Sequence, residues 1–459
     1  MSRTIWTVLV FAISSPCLAG PGQAVSKALA DARRRGPAAT SVRYLSLYAL
    51  PEEARADAKK ALAFHVNQLS REAELVSPRT IGDDLLAVSL IDYGWDRKTW
   101  DRLADPYFTV QAIVAWPGGY DDGTYFKPGK YRETIAAPWL PQDELAELRL
   151  LTQSRRPILR ADWFFAQTAI QEGRQVGYYD MLGIGKKRDD FDKLIALNRA
   201  DATRVRKEIG AIVQSSIVAL NNRQIFRFQA TTGAYWETRD SKQSIDKNNA
   251  LRLLNGDYSY DAQEIYGTLP NGLFAFFLGD GQGNRANFAP PEIASDGQST
   301  STDRRVHIGL SCVRCHRPGI QAIDCWARKT YRNELQLQAV DPFRLLRLKQ
   351  LYLSDLDRFI KRDQDDYADA LKRTNGLSPL ENSRLFSAFY SRYNDEARTL
   401  QDAVRETGYR EEQIREAIGR QVKAGLADPV LAGLIQKPQL PLRLEHWEEA
   451  FPILMDWLK

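Results

Sequence analysis

Two cysteines and a histidine fall within a single five-residue run of this chain, Cys312-Val313-Arg314-Cys315-His316. A step of three residues sets both thiols on one side of a helical turn, and the histidine follows at once, so the segment is constrained to be a short helix that offers all three groups together. Ser311 stands where an N-cap would start that turn, and Pro318-Gly319 ends it soon after. The chain holds only four cysteines (Cys17, Cys312, Cys315, Cys325) and four histidines (His65, His307, His316, His446).

The spacing suits attachment of haem c. Two thiols one turn apart reach the vinyl groups on one porphyrin edge, and the next residue lies beneath the iron. The expectation is one haem c (iron) per chain, bound covalently by Cys312 and Cys315, with His316 as axial ligand. Three other readings compete. A thioredoxin-type disulfide usually heads a helix after a strand. Zinc needs four ligands, and no second Cys/His pair stands at a matching spacing. The thiols could also be unrelated and free. On the far side of the iron, Met181 in the loop-like run Tyr178-Tyr179-Asp180-Met181-Leu182-Gly183 is the distal candidate. His65, His307 and His446 are weaker ones, and an open five-coordinate iron fits as well as Met181. Met455 reads as a packing residue of an amphipathic helix. Arg304, Arg305, Arg314 and Arg317 flank the motif, either as partners of haem propionates or as a solvated basic loop.

The N-terminus reads as an export signal over residues 1–19. Arg3 precedes the short apolar run Ile5 to Ile13, and cleavage after Ala19 would follow small residues. Export implies a periplasmic or otherwise exported protein, and cleavage would remove Cys17. The remaining odd number of cysteines makes a poor disulfide framework and leaves Cys325 as a buried free thiol. No later stretch approaches ~18 uninterrupted apolar residues, so no integral membrane segment is expected. A net charge of +5 on 459 residues gives no case for nucleic acid as partner. The expected partner is a redox protein or a small-molecule electron donor or acceptor.

Periodicity suggests helices from Pro51 to about Ala73, Trp95 to Leu103, Leu159 to Gln171, Asp189 to Asn198 and Arg204 to about Asn221, and again from Pro342 to Lys459. Leu85 to Tyr93 reads as a buried strand or a helix turn, and Phe108 to Trp116 as an apolar run. From Ile225 to Ser295 aromatics and glycines become frequent, and Leu269-Pro270-Asn271-Gly272-Leu273 opens a turn before a strand. The fold expected is mainly α with a small β insertion, a cytochrome c-like haem-binding segment embedded in a larger helical protein. Its regions would be an N-terminal mixed or helical domain at 20–150, a helical and β-hairpin region ending in the attachment segment at 151–330, and a helical region at 331–459. Gly183-Ile184-Gly185-Lys186-Lys187 lacks the spacing of a P-loop. Asp280-Gly281-Gln282-Gly283-Asn284 lacks the bidentate Glu of a calcium loop. Asp83-Asp84 and Asp121-Asp122 read as solvated loop acids.

The segment Leu310-Ser311-Cys312-Val313-Arg314-Cys315-His316 resembles the haem-binding core of bacterial c-type cytochromes. The longer stretch from Leu269-Pro270-Asn271-Gly272-Leu273 through Glu292-Ile293 to Cys312 is similar to large exported proteins that bear a single such motif. The resemblance implies haem binding and electron transfer and brings no substrate with it. The sequence departs from small soluble cytochromes c in having only Met455 as a methionine after the motif. The alternative is a haem-dependent, peroxidase-like oxidoreductase with an open distal iron site. Di-haem peroxidases are disfavoured, because they need two attachment motifs.

Overall fold

The computed structural model of the protein describes residues 20–116, 119–121, 124–126, 129–204, 209–214, 222–243, 246–248, 258–289, 293–299, 303–317, 319–323, 356–438 and 442–459. The proposed signal segment and Cys325 lie outside them.

The first half is a mixed layer. Helix α1 (Pro21–Arg35) starts on a proline at its first position and stops at Gly36, ahead of Pro37. Strand β1 (Val42–Ser46) and α2 (Glu52–Gln68) follow; α2 opens on Glu52 and Glu53, which favour the positive helix end. Strands β2 (Arg79–Thr80) and β3 (Leu85–Ser89) join β1, then comes the short α3 (Arg97–Trp100), capped by Asp96. A hairpin of β4 (Thr109–Trp116) and β7 (Gly129–Ala136) carries β5 (Gly119–Asp121) and β6 (Thr124–Phe126) at its end. Helix α4 (Gln142–Thr152) leads to β8 (Ile158–Arg160), which pairs parallel with β1 and completes a four-stranded sheet of order β2-β3-β1-β8. Helices α5 (Ala161–Thr168), α6 (Tyr178–Leu182), α7 (Arg188–Leu194) and α8 (Arg199–Arg204) follow.

The second sheet is the larger one. Strands β9 (Ile209–Gln214), β10 (Asn222–Gln229), β11 (Ala234–Asp240), β12 (Ala262–Thr268), β13 (Phe274–Asp280) and β14 (Arg285–Ala286) form a six-stranded antiparallel meander. One face carries Trp236, Tyr266, Phe274 and Phe276. The other carries Phe228, Tyr235, Ile265 and Phe277. Phe277 packs on Tyr179 of α6 and Phe191 of α7, so those helices cover the second face. A small ladder of β15 (Phe288–Ala289) and β16 (Val306–His307) precedes α9 (Leu310–Cys315). The chain ends in helices α10 (Asp357–Asn375), α11 (Pro379–Asn394), α12 (Leu400–Thr407), α13 (Glu411–Lys423), α14 (Pro429–Gln436) and α15 (Leu444–Leu458). Their starts are written in side chains: Ser378 with Glu381 and Thr399 with Asp402 form capping boxes, and Asp428 accepts from the Val430 and Leu431 amides.

This is a mixed α/β protein, which corrects the expectation of a mainly α fold with a small β insertion. Two errors of periodicity explain it. Residues 209–214, read as part of a helix from Arg204 to Asn221, form β9. Strands β10 and β11 also bury charges. Arg223 meets Asp240 at 2.6 Å, Arg199 meets Glu237 at 2.7 Å, and Arg227 holds Asp363 of α10 through two bonds of 2.7 and 2.9 Å. Apolar alternation fails as a strand signal when inward positions are ion-paired. The helix begun at Pro51 ends at Gln68, short of Ala73, and of Trp95 to Leu103 only Arg97–Trp100 is helical. Leu85–Ser89 and Thr109–Trp116 are strands. Asp84, read as a solvated loop acid, is buried and takes both bonds from Lys27. The Asp280 carboxylate accepts from the Gln282 and Asn284 amides, as a plain turn would have it.

A buried ionic knot joins the first half to the C-terminal helices. Arg160, at the end of β8, is 1% exposed and makes paired bonds to Asp162 and to Glu406 of α12. Its guanidinium lies 3.7 Å from the Tyr107 ring centre. Asp105 accepts from the amides of Tyr107 and Arg160, yet burial pushes its carboxyl up to about 7. The folded protein therefore holds a proton that the unfolded chain has released between about pH 4 and 7. The native state binds the extra proton, so this group's contribution to stability is full at low pH and is lost as pH rises through the folded value. Denaturant titrations at pH 5 and pH 7.5 should show a smaller loss across that interval in Asp105→Asn than in the wild type. An equal loss in both proteins would assign it to other groups.

Candidate functional site

The turn bearing the two cysteines is fixed from both ends. Its N-cap is Gly309, with φ +81°, rather than Ser311 as the sequence suggested. A Cβ at position 309 would come within 2.4 Å of the Ala169 carbonyl oxygen and 2.9 Å of the Tyr178 ring. Only glycine combines that conformation with that closeness. The Leu310 amide donates to the same Ala169 carbonyl at 2.9 Å, which docks α9 on the end of α5. Gly309→Ala should therefore weaken the fold and misplace the turn, seen as a lower thermal midpoint. An unchanged midpoint would show that the backbone relaxes without cost.

Side chains complete the mounting. Ser311 lies inside the first turn and donates to Asp296 at 2.8 Å, while its oxygen accepts the His307 amide at 3.0 Å. Arg314 is buried against Asp296 at 3.2 Å. Ser383 of α11 donates to the Val313 carbonyl at 3.0 Å. Of the four flanking arginines, Arg314 and Arg305 are thus already engaged, Arg305 with Asp303 at 2.8 Å. Arg304 and Arg317 are exposed.

Cys312 is buried and Cys315 partly so, and they form no disulfide with each other. Burial raises both thiols, Cys315 to about 12, and Asp296 and Glu264 push the same way. A thioredoxin-like nucleophile is tuned in the opposite sense.

His316 caps the helix, with its amide donating to the Cys312 carbonyl at 2.8 Å. Its Nδ1 lies 3.1 Å from the Gly319 carbonyl oxygen. A carbonyl can only accept, so Nδ1 carries the proton and Nε2 keeps a free lone pair. Burial lowers the imidazole to about 4, which keeps it neutral. The ring rests on Tyr266 and Phe276, with centroids at 4.9 and 5.6 Å. Those two residues are directly opposed on β12 and β13, on the face of the sheet that α6 and α7 leave uncovered. Glu264 and Arg223 stand on that same face, 3.6 Å apart. Burial raises the Glu264 carboxyl against the pull of Arg223.

The other sequence candidates lie elsewhere. Met181 is 2% exposed in the hydrophobic core, on the helix whose Tyr178 and Tyr179 hydroxyls accept the β13 amides of Phe276 and Leu278. Met455 is likewise a core residue of α15. His65 is fully buried, bonded through Nε2 to Thr168 at 2.7 Å and set 4.4 Å from Phe165. His307 pairs with Asp303 at 3.0 Å, and His446 is exposed on the last helix.

Sequence reasoning missed Gly309, Asp296, Tyr266 and Phe276, and took Gly319 only as the end of the turn, not as the partner of His316. The alternation of Phe274, Phe276 and Leu278 was a signal for one aromatic strand face, but nothing in it says that His316 lands there. Two thiols on one turn and a neutral imidazole with a free Nε2 fit a covalently bound haem as a donor set. Compared with protein-family models, curated proteins and solved structures, the chain matches none.

Proposed function

We propose that this chain is an exported mono-haem c-type protein, with haem attached at Cys312 and Cys315 and His316 as axial ligand, serving electron transfer. One observation carries the reading: Nδ1 of His316 is committed to the Gly319 carbonyl, which orients the ring and leaves Nε2 available directly after the two cysteines. A backbone carbonyl on the second ring nitrogen is how proteins fix a metal-binding imidazole and raise its basicity. Bound haem would supply one-electron exchange at iron. The chain's own contribution is positional. Gly309 and Ser311 fix the turn, Tyr266 and Phe276 hold the imidazole, and Asp296 keeps Arg314 in place. The partner would be a redox protein or a small electron donor or acceptor. Among the described residues no helix is long and apolar enough to cross a membrane.

The test is an absorption spectrum of the exported protein, oxidised and reduced, with a pyridine assay and a haem stain on a denaturing gel. One haem per chain that migrates with the polypeptide is expected. Absence of covalent haem defeats the reading.

A second reading, a peroxidase-like oxidoreductase with an open distal position, is favoured by the core packing of Met181, which gives that residue a structural role without iron. Cyanide binding to the oxidised protein would select it. An inert, six-coordinate iron would select the carrier.

A further inference from the structure

Far along the chain from the cysteine turn, a cleft gathers more arginines than acids. Its walls are the end of β7, the last turn of α4, the loop from Gln153 to Arg156, and the segment after α3. Its volume is about 840 Å³, within the usual range for a small-molecule site. Five arginines line it, Arg102, Arg132, Arg149, Arg155 and Arg156, against two acids, Asp101 and Glu133. The surplus is three positive charges.

The way these cations are held is unusual for a solvated basic face. Arg156 is only 8% exposed. Its Nη2 donates to the Thr134 carbonyl at 2.9 Å, its weaker Nη1 contact is to the Arg155 carbonyl at 3.5 Å, and its Nε has no partner. The Nε of Arg149 is also buried without a partner. Carbonyls leave the charge of a guanidinium uncancelled, and a buried uncancelled charge is costly. Burial lowers both Arg149 and Arg156, and Arg149 lowers Arg156 further. Behind them, Arg43 is fully buried and gives its Nη1 to the carbonyls of Thr40, Val42 and Thr152. Asp101 is already bonded by Ser154. Arg102 leans away, to the Gln175 carbonyl at 2.6 Å and toward Asp180 at 3.9 Å. Arg132 and Arg155 are exposed at the mouth.

We infer that this cleft binds a small multivalent oxyanion, with Arg149 and Arg156 at its floor and Arg132 and Arg155 closing on the ligand from the mouth. Planar guanidiniums match phosphoryl and carboxylate oxygens through paired bonds, which is the recognition chemistry they offer here. A metabolite bearing a diphosphate and one bearing several carboxylates share that chemistry. The inference does not depend on haem, because no residue of the cleft belongs to the cysteine turn or its supports.

The experiment is calorimetric titration of the full-length protein with sodium pyrophosphate and, separately, trisodium citrate, at constant ionic strength set by sodium chloride. Saturable binding of one or both is expected, and the tighter probe names the class. In Arg132→Gln/Arg155→Gln, whose exposed positions spare the fold, affinity should fall at least about tenfold, the equivalent of ~1.4 kcal/mol. Circular dichroism checks that the variant remains folded. No binding beyond the chloride control, undiminished binding in the folded variant, or binding of heparin alone would each overturn the inference.

Discussion

On the proposed function, the Cys312→Ser/Cys315→Ser variant is expected to fold without covalent haem, with the pyridine assay falling from the expected one haem per chain to none. This is the largest change that the proposed function implies, because both attachment points lie on one turn. His316→Ala makes the complementary case. It keeps both thiols and should keep a covalent group, but with the spectrum of an altered axial ligand and a shifted potential. The two results separate attachment from ligation. A wild-type-like haem content in the double serine variant would show that the cysteines do not hold the group. A wild-type spectrum in His316→Ala would show that Nε2 is not a ligand, whatever its lone pair suggests.

Glu406→Ala should be the most destabilising single change in the described core, by roughly 3–5 kcal/mol in equilibrium denaturation. Glu406 is buried and serves three partners: Arg160 through paired bonds, Arg398 at 3.4 Å and the indole of Trp447 at 2.6 Å. Its removal leaves two buried guanidiniums short of charge at the junction of β8 with α12 and α15. The exposed pair of Arg33 and Glu147 bridges α1 and α4 in water, and Glu147→Ala should cost far less. A loss in Glu406→Ala no greater than in Glu147→Ala would mean that the knot is relieved by water. Because the knot spans the first half and the C-terminal helices, the loss should appear as one cooperative transition.

The C-terminal helices show what a local code conveys. Ser378 with Glu381, Thr399 with Asp402, and Asp428 before Pro429 are start signals whose partners lie within one turn, so the helical reading of residues beyond 357 needs no tertiary knowledge. Strand β13 was legible for the same reason, through the turn at Asn271-Gly272. Strand β9 was not, and the inward arginines of β10 hid the extent of the sheet. Their acids come from β11, from α10 and from neighbouring strands, as far as 136 residues away in the case of Arg227 and Asp363. Burial of a charge is decided by a partner that the local sequence does not contain.

The same division holds at the cysteine turn. The sequence by itself determined that Cys312, Cys315 and His316 share one helical turn, because a spacing of three residues is a property of the backbone. Only the tertiary structure decided that Tyr266 and Phe276 support the His316 ring, and that the turn begins at Gly309 against the Ala169 carbonyl. Those depend on groups brought together by chain segments up to about 140 residues apart in sequence, and their physical basis is packing and hydrogen bonding across the fold, which a five-residue motif cannot specify.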